Sequence, residues 1–357
     1  MIKNKNTIIA MSVLVISIVI FIFSYYSWGM SNVSNDKNDI EITIEPGSIW
    51  SVSKTLKDNN LIRSKFWFYF YCRGSNNTNL MAGDYTLNKT MNVKTIVNIL
   101  SGKKTKKNDD TIRITFREGI NIRKITSIIT EKTNNKEDDV YSLLKDKEYL
   151  NKIIDKYWFL TDDILDKDIY YPLEGYLYPE TYEFINTDVS VEDIFETMLD
   201  QMDKELTPYK DDINKSDLTI HELITLASIV ELEAKNDDDR KGVASVFYNR
   251  LDSSMTLGSD VTAYYAAKID DWSKSLTQDE LYDCSSKYNT RCREFGGLPI
   301  GPIANVSKSS IEAVINPDKT NYYYFVADCK GNTYFSKTDT GNISNKNKLI
   351  RENNWCG

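Results

Sequence analysis

The stretch LASIVELEAKNDDDRKGVASVFYNRL, Leu226–Leu251, decides how the chain is built. Leu223, Ile224, Leu226, Ala227, Ile229 and Val230 recur at helical spacing as far as Ala234. A second helix follows from Arg240 to Leu251, with Val243, Val246, Phe247 and Leu251 on one side. On a helical wheel Glu231 falls between Ala227 and Ile224, and Glu233 between Ile229 and Leu226. Both carboxylates sit close to an apolar face, where burial disfavours ionisation. A carboxylic acid still protonated near neutral pH is what general-acid cleavage of an acetal requires. The same placement suits two ordinary boundary residues near a helix end, and the wheel alone leaves both readings open.

Composition narrows the chemistry from the other side. The chain has 357 residues, 41% of them hydrophobic, enough for two or three domains with real cores. It has one histidine, so a site of several imidazoles is impossible, and His221-Glu222 lacks the second His of an H-E-x-x-H zinc helix. His221 reads as a helix-start residue. No metal and no cofactor is expected. A net charge of −8 argues against a nucleic-acid partner, which calls for a basic face. The five cysteines have no metal spacing; Cys284 with Cys292 and Cys329 with Cys356 would close small loops if bonded, and free buried thiols are equally compatible.

The N-terminus stands apart. No charged residue occurs between Lys5 and Asp36, and Thr7–Trp28 reads TIIAMSVLVISIVIFIFSYYSW. At ~1.5 Å per residue this crosses a ~30 Å hydrocarbon layer. Lys3 and Lys5 before it, with Tyr25, Tyr26 and Trp28 at its far end, orient residues 1–6 to the cytoplasm. The run is too long for a cleaved signal peptide and no A-x-A-like site follows, so an uncleaved single-pass anchor over 7–28 is expected. Residues 29–39 are polar and aperiodic and read as a tether.

Beyond it, Ile40, Ile42 and Ile44 predict a strand, Pro46-Gly47 a turn, and Ile49, Val52 and Leu56 a helix. AGDYTL predicts another strand, and Val93–Leu100 a helix closed by Gly102. A similar strand–turn–helix pattern returns at Ile112, Ile114 and Phe116, then Gly119, then Ile122, Ile125 and Ile129. It reads either as a weak internal repeat or as two ordinary βα turns. Lys103, Lys104, Lys106 and Lys107 read as a solvated loop. Tyr288–Ile303, rich in Gly and Pro, predicts a loop, and YYYFVADCKGNTYF a hairpin around Gly331. The tail after Lys337 is polar.

Four further stretches matter together: LEGYLYPETYEF (Leu173–Phe184), LGSDVTAYYA (Leu257–Ala266), YNTR…GGLPIGPI (Tyr288–Ile303) and YYYFVADCKGNTYFSKT (Tyr322–Thr338). With the E-x-E helix and DRKGVASVFYNRL they resemble the endolytic murein transglycosylases of the YceG-like family. Each motif is weak alone; six in the right order are specific.

The resemblance implies an α+β fold: the transmembrane helix, a LysM-like α/β module over 40–130, a connecting region over 131–213, and a mixed α/β catalytic domain over 214–357. It implies cleavage inside peptidoglycan glycan strands, at the bond from N-acetylmuramic acid to N-acetylglucosamine, with 1,6-anhydro-muramyl ends and a role in trimming or terminating nascent strands. One carboxyl group suffices for this, as acid toward the leaving oxygen and then as base toward the muramyl C6 hydroxyl. Glu233 aligns as that acid, with Glu231 the fallback and a groove residue otherwise. Glu174, Tyr178, Asn249, Arg250, Asp260, Thr262, Tyr265, Tyr288, Asn289 and Thr290 match family elements expected to line the groove, and Leu298 and Pro299 belong to its G-L-P-x-G-P-I loop. Glycan polymerases and transpeptidases of wall synthesis are the implied partners. The alternatives are a hydrolase that uses water, with Asp260 or Glu174 as second carboxylate, or a catalytically silent wall-binding or division scaffold. Three departures stand out: Val261 replaces a usual Pro, the loop from Thr290 to Gly297 carries Cys292, and Asn342 stands where the family often has His.

Overall fold

The computed structural model describes residues 24–45, 47–75, 80–102, 112–184, 186–292 and 296–356. It is a mixed α+β chain of many helices and three two-stranded antiparallel sheets among the described residues. Contacts divide it into two compact units, Met1–Asp109 and Asp110–Gly357.

In the first unit β1 (Asp39–Ile44) pairs with β2 (Gly83–Asn88), Asp39 opposite Asn88 and Ile44 opposite Gly83. Alternation puts Ile42, Ile44 and Leu87 inward. Against them pack Val52 and Leu56 of α1 (Ile49–Asp58), Phe68 and Cys72 of α2 (Lys65–Gly74), and Val93, Ile96, Val97 and Leu100 of α3 (Val93–Leu100). Ser48, Ser64 and Asn92 cap the three helices, each accepting a backbone N–H three residues on. The polar segment 29–39 differs from the tether expected of it. Met30 packs on this core, Arg63 donates to the carbonyls of Asn32 (2.7 Å) and Val33 (3.1 Å), and Ser34 N–H donates to Lys89 O (3.1 Å). Most of the anchor stretch Thr7–Trp28, and the lysines from 103 to 107, lie outside the described residues. Residues 24–30 are helical, and no helix among the described residues is long and apolar enough to cross a membrane.

The second unit begins earlier than the sequence suggests. β3 (Ile112–Thr115) pairs with β4 (Thr181–Phe184), and α4 (Ile122–Lys132) follows it. Expected in the membrane-proximal module over 40–130, this strand–turn–helix instead shares one core with Tyr176, Tyr182 and Phe184. Gly119, at φ +71°, turns the chain so that its N–H donates to Asn305 O (3.0 Å) while Asn305 N–H donates to Ile120 O (2.8 Å). The likeness to β1–α1 is therefore local, since the two strands pair in different units.

α5 (Glu137–Leu143), α6 (Lys147–Lys156) and α7 (Val191–Leu206) flank that core. At its centre α8 (Ile220–Glu233) is capped by Thr219 and Glu222 in a reciprocal capping box and buried along most of its length. α9 (Asp237–Asp252) and α11 (Lys308–Ile315) pack on it, and α10 (Asp260–Ala266) lies near its C-terminal end. The hairpin β5 (Tyr324–Ala327) and β6 (Thr333–Ser336) has the expected turn. The tail is no loose polar segment: it forms α12 (Asp339–Arg351) against that hairpin.

Both cysteine pairs are bonded, Cys284 to Cys292 and Cys329 to Cys356, and Cys72 is free and buried. The second bridge fastens the C-terminus to the hairpin turn, where Asn354 also hydrogen-bonds Asp328 (3.0 Å) and Cys329 N–H (3.0 Å). A loop of this length is worth about 3–4 kcal/mol in the chain-entropy account. Replacing Cys329 and Cys356 with Ser should lower the melting temperature of the second unit by several degrees in differential scanning calorimetry. An unchanged midpoint would show that the tail is held without the bridge.

Candidate active site

α8 ends in a carboxylate that faces a cavity of about 690 Å³. Glu233 forms part of its wall; Phe247 and Arg250 of α9, the segment from Met255 to Asp260, Arg291, and the strand β5 from Tyr324 to Ala327 form more of it. Asn342 and Lys346 of α12 close it, with Trp355 of the tail. Burial pushes the Glu233 carboxyl above the usual carboxylate range, and the charge of Asp260 pushes the same way. A hydrogen bond from Ser259 and the Arg250 and Arg291 cations pull in the opposite direction without cancelling it.

The Ser259 hydroxyl donates to Glu233 Oε1 at 2.5 Å, and Oε2 has no protein partner among the described residues. Ser259 occupies the N-cap of α10, yet its side chain caps nothing there. The hydroxyl is committed to the carboxyl instead. Three buried groups fix it: Ser259 N–H donates to Thr290 Oγ1 (3.1 Å), Thr290 N–H to Thr262 Oγ1 (3.1 Å), and Thr262 Oγ1 to Ser259 O (2.7 Å). Arg250 is held with similar care. Its Nε donates to Tyr323 O (2.7 Å), a second nitrogen donates to Leu257 O, and the guanidinium lies 5.3 Å over the Tyr324 ring. Asp260 is ion-paired with Arg291 at the cavity edge.

One raised carboxyl with a free oxygen in a polar cavity can deliver a proton to a bound oxygen and afterwards take one up. A model of the YceG-like family matches residues 42–348. The chain belongs to the YceG-like family.

Relatives within reach of this YceG-like protein bear one name. It is 36% identical to the endolytic murein transglycosylase of Bacillus subtilis (strain 168) over 323 residues, 90% of this chain and 87% of that one. It is 32% identical to the endolytic murein transglycosylase of Streptococcus pneumoniae serotype 2 (strain D39 / NCTC 7466), covering 85% of this chain but 57% of the relative. The crystal structure of a yceG-like protein from Listeria monocytogenes, 38% identical, superposes with a TM-score of 0.61 over 87% of this chain and 100% of that one.

Of the residues singled out from the sequence, Glu233, Arg250 and Asp260 line the cavity of this YceG-like protein. Thr262 and Thr290 stand behind it and hold Ser259. The others face elsewhere, each for a visible reason. Glu231 forms a buried ion pair with Arg240 (2.9 Å; side chains 4% and 9% exposed) and accepts from Ser307 N–H (2.8 Å) and Ser310 Oγ (2.7 Å). Its carboxylate is fully occupied in holding α8 to α9 and α11. Glu174 is buried and accepts from Ile122 N–H (3.0 and 3.1 Å) at the start of α4 and from Tyr265 Oη (2.9 Å); burial raises its carboxyl to about 8. Tyr265 and Tyr288 stack with Tyr170 in a buried cluster (ring centroids 4.6–5.8 Å apart). Tyr178 lies in the core and accepts at its carbonyl from Tyr182 Oη (2.8 Å). Asn249 donates to Thr320 O (3.2 Å) and Tyr322 O (2.8 Å), and Asn289 to three carbonyls of the segment 280–283. Leu298 packs on the core and Pro299 is buried. His221, as expected of a helix-start residue, has a structural place, between Tyr176 Oη (2.8 Å) and Ile300 O (2.8 Å).

Sequence reasoning missed Ser259, Arg291, Tyr324, Lys346 and Trp355 as cavity residues. Ser259 carried a signal, a strong N-cap residue before Asp260. Trp355 carried none, because the Cys329–Cys356 bridge and the Asn354 hydrogen bonds that bring it near depend on the fold. Arg240→Met should lower stability of the second unit by about 3 kcal/mol, as expected when one partner of a buried pair is removed. Glu231→Leu in the same chain should restore part of that loss in urea unfolding. Equal stability of Arg240→Met and wild type would contradict the structural assignment of Glu231.

Proposed function

We propose that this YceG-like protein is an endolytic lytic transglycosylase that cleaves between N-acetylmuramic acid and N-acetylglucosamine inside peptidoglycan strands. The observation that carries the reading is the placement of Glu233, a carboxyl raised above its ordinary value by burial on the wall of a cavity of about 690 Å³. Glu233 protonates the leaving glycosidic oxygen. The carboxylate so formed takes the proton of the muramyl C6 hydroxyl as that oxygen attacks C1, which leaves a 1,6-anhydro end. Arg250 and Arg291 lend positive charge beside the developing carboxylate. Tyr324 and Trp355 offer ring faces to sugars.

The names of the relatives support the substrate class. The anchor stretch Thr7–Trp28 supports action on the outer face of the cell membrane, with residues 1–6 in the cytoplasm and nascent strands within reach for trimming or termination. The first unit is read as LysM-like, and the polymerases and transpeptidases of wall synthesis as its neighbours. Of the two second carboxylates that a hydrolase reading names, Asp260 lines the cavity, and that group is bound to Arg291. Glu174 is buried under α4 and cannot serve.

Purified peptidoglycan digested with the full chain in detergent should give anhydro-muramyl ends by mass spectrometry, and Glu233→Gln should lose at least ~100-fold in rate while folding normally. Reducing ends would favour hydrolysis, and an active Glu233→Gln would favour a scaffold. Raising the pKa of an acid moves the alkaline limb of its rate profile upward. Since the Ser259 bond pulls Glu233 down, Ser259→Ala should shift that limb to higher pH and slow turnover by roughly tenfold. A limb that stays in place would remove Ser259 from the mechanism.

A further inference from the structure

The first unit carries an aromatic face that its own core does not explain. α2 reads KFWFYFYCRG; Phe68 and Cys72 turn inward, while Phe66 and Phe70 stand 50% and 51% exposed and pack on each other with ring centroids 4.5 Å apart. Trp50 of α1, 49% exposed, extends the face by its contact with Tyr69 (6.0 Å). At the other end Trp67 meets Tyr25 (5.8 Å) and Tyr26 (5.1 Å), near the end of the apolar stretch. Ring touches ring from Trp50 across α2 to that stretch.

The joint is built for close approach. A Cβ on Gly29 would lie 2.2 Å from Trp67 Cδ1, so the helical segment 24–30 rests its backbone on the indole. Arg63 then holds the carbonyls of Asn32 and Val33, and Ser34 is bonded to Lys89. The link between the apolar stretch and α2 is thus fastened. Cations sit beside the rings: Arg63 lies 5.5 Å from the Trp28 centroid, Lys65 5.4 Å from Trp50, and Arg73 5.5 Å from Tyr69. Exposed Trp and Phe beside Lys and Arg match the chemistry of a bilayer interface, where rings enter the headgroup and acyl boundary and cations meet phosphates.

We propose that the outer face of α2, with Trp50, lies in the membrane interface next to the anchor and makes a second contact of the first unit with lipid. This rests on the anchor reading given above. The two parts are separable by experiment. The full chain is reconstituted in phosphatidylethanolamine–phosphatidylglycerol vesicles whose acyl chains carry a diazirine, irradiated, digested and mapped by mass spectrometry. Lipid adducts are expected on peptides containing Phe66, Phe70 and Trp50 as well as within 7–28. In a Phe66→Ser, Phe70→Ser chain with unchanged melting temperature, the α2 adducts should fall by roughly tenfold and those of the anchor persist. Adducts confined to 7–28 overturn the proposal and leave the anchor standing. Adducts on neither remove the anchor reading as well. Protection of α2 by a second copy of the chain or by added glycan strands, without lipid adducts, assigns the face to that occupant and overturns the proposal.

Discussion

The hydrogen bond from Ser259 to Glu233 is the contact on which the proposed acid depends. An N-cap serine ordinarily satisfies the first N–H groups of its own helix, a contribution of about 1 kcal/mol. Here the hydroxyl gives up that role and points at a carboxyl near the end of another helix. The sacrifice holds only because Thr262 and Thr290 lock the Ser259 backbone with buried hydroxyl bonds. One donor on Oε1 fixes the carboxyl's orientation and leaves Oε2 without a protein partner among the described residues. Burial raises the carboxyl's pKa, and the single hydrogen bond fixes its orientation.

Glu231 and Glu233 show how two residues of separation settle two fates. Positions i and i+2 point to different sides of a helix. One side of α8 meets α9 and α11, where Arg240, Ser307 and Ser310 receive Glu231 as a fully bonded group. The other side meets Ser259 and the cavity. Both oxygens of Glu231 are taken by protein donors, while Glu233 keeps one oxygen without a protein partner among the described residues. The acid is therefore chosen by what packs against each face.

Local signals were largely readable from the residues: the isoleucine alternations of β1 and β3, the apolar stripes of α1, α4 and α8, and the hairpin at Gly331. So was the E-x-E helix as the place to look for an acid. Long-range pairing was not. β3 pairs with β4 some seventy residues on, which moves Ile112–Lys132 out of the module its local pattern suggests. Family-matched polar residues such as Glu174, Asn249 and Asn289 turned out to bond backbone groups, because buried N–H and C=O groups need partners as much as substrates do. α12 came to the cavity by packing on the hairpin, and Trp355 by the Asn354 hydrogen bonds and a disulfide that spacing alone leaves undecided. The segment 29–39, polar enough to read as a tether, is held by Arg63 and Lys89, whose roles depend on the fold.

The central claim is that burial at the cavity wall raises the Glu233 carboxyl above that of an ordinary glutamate. Carbon-13 NMR titration of the glutamate side-chain carboxyls in the unliganded protein, with Glu233→Gln to assign the signal, tests this most directly. The account predicts a Glu233 midpoint above the ordinary value of about 4.3. A midpoint at or below that value would contradict it.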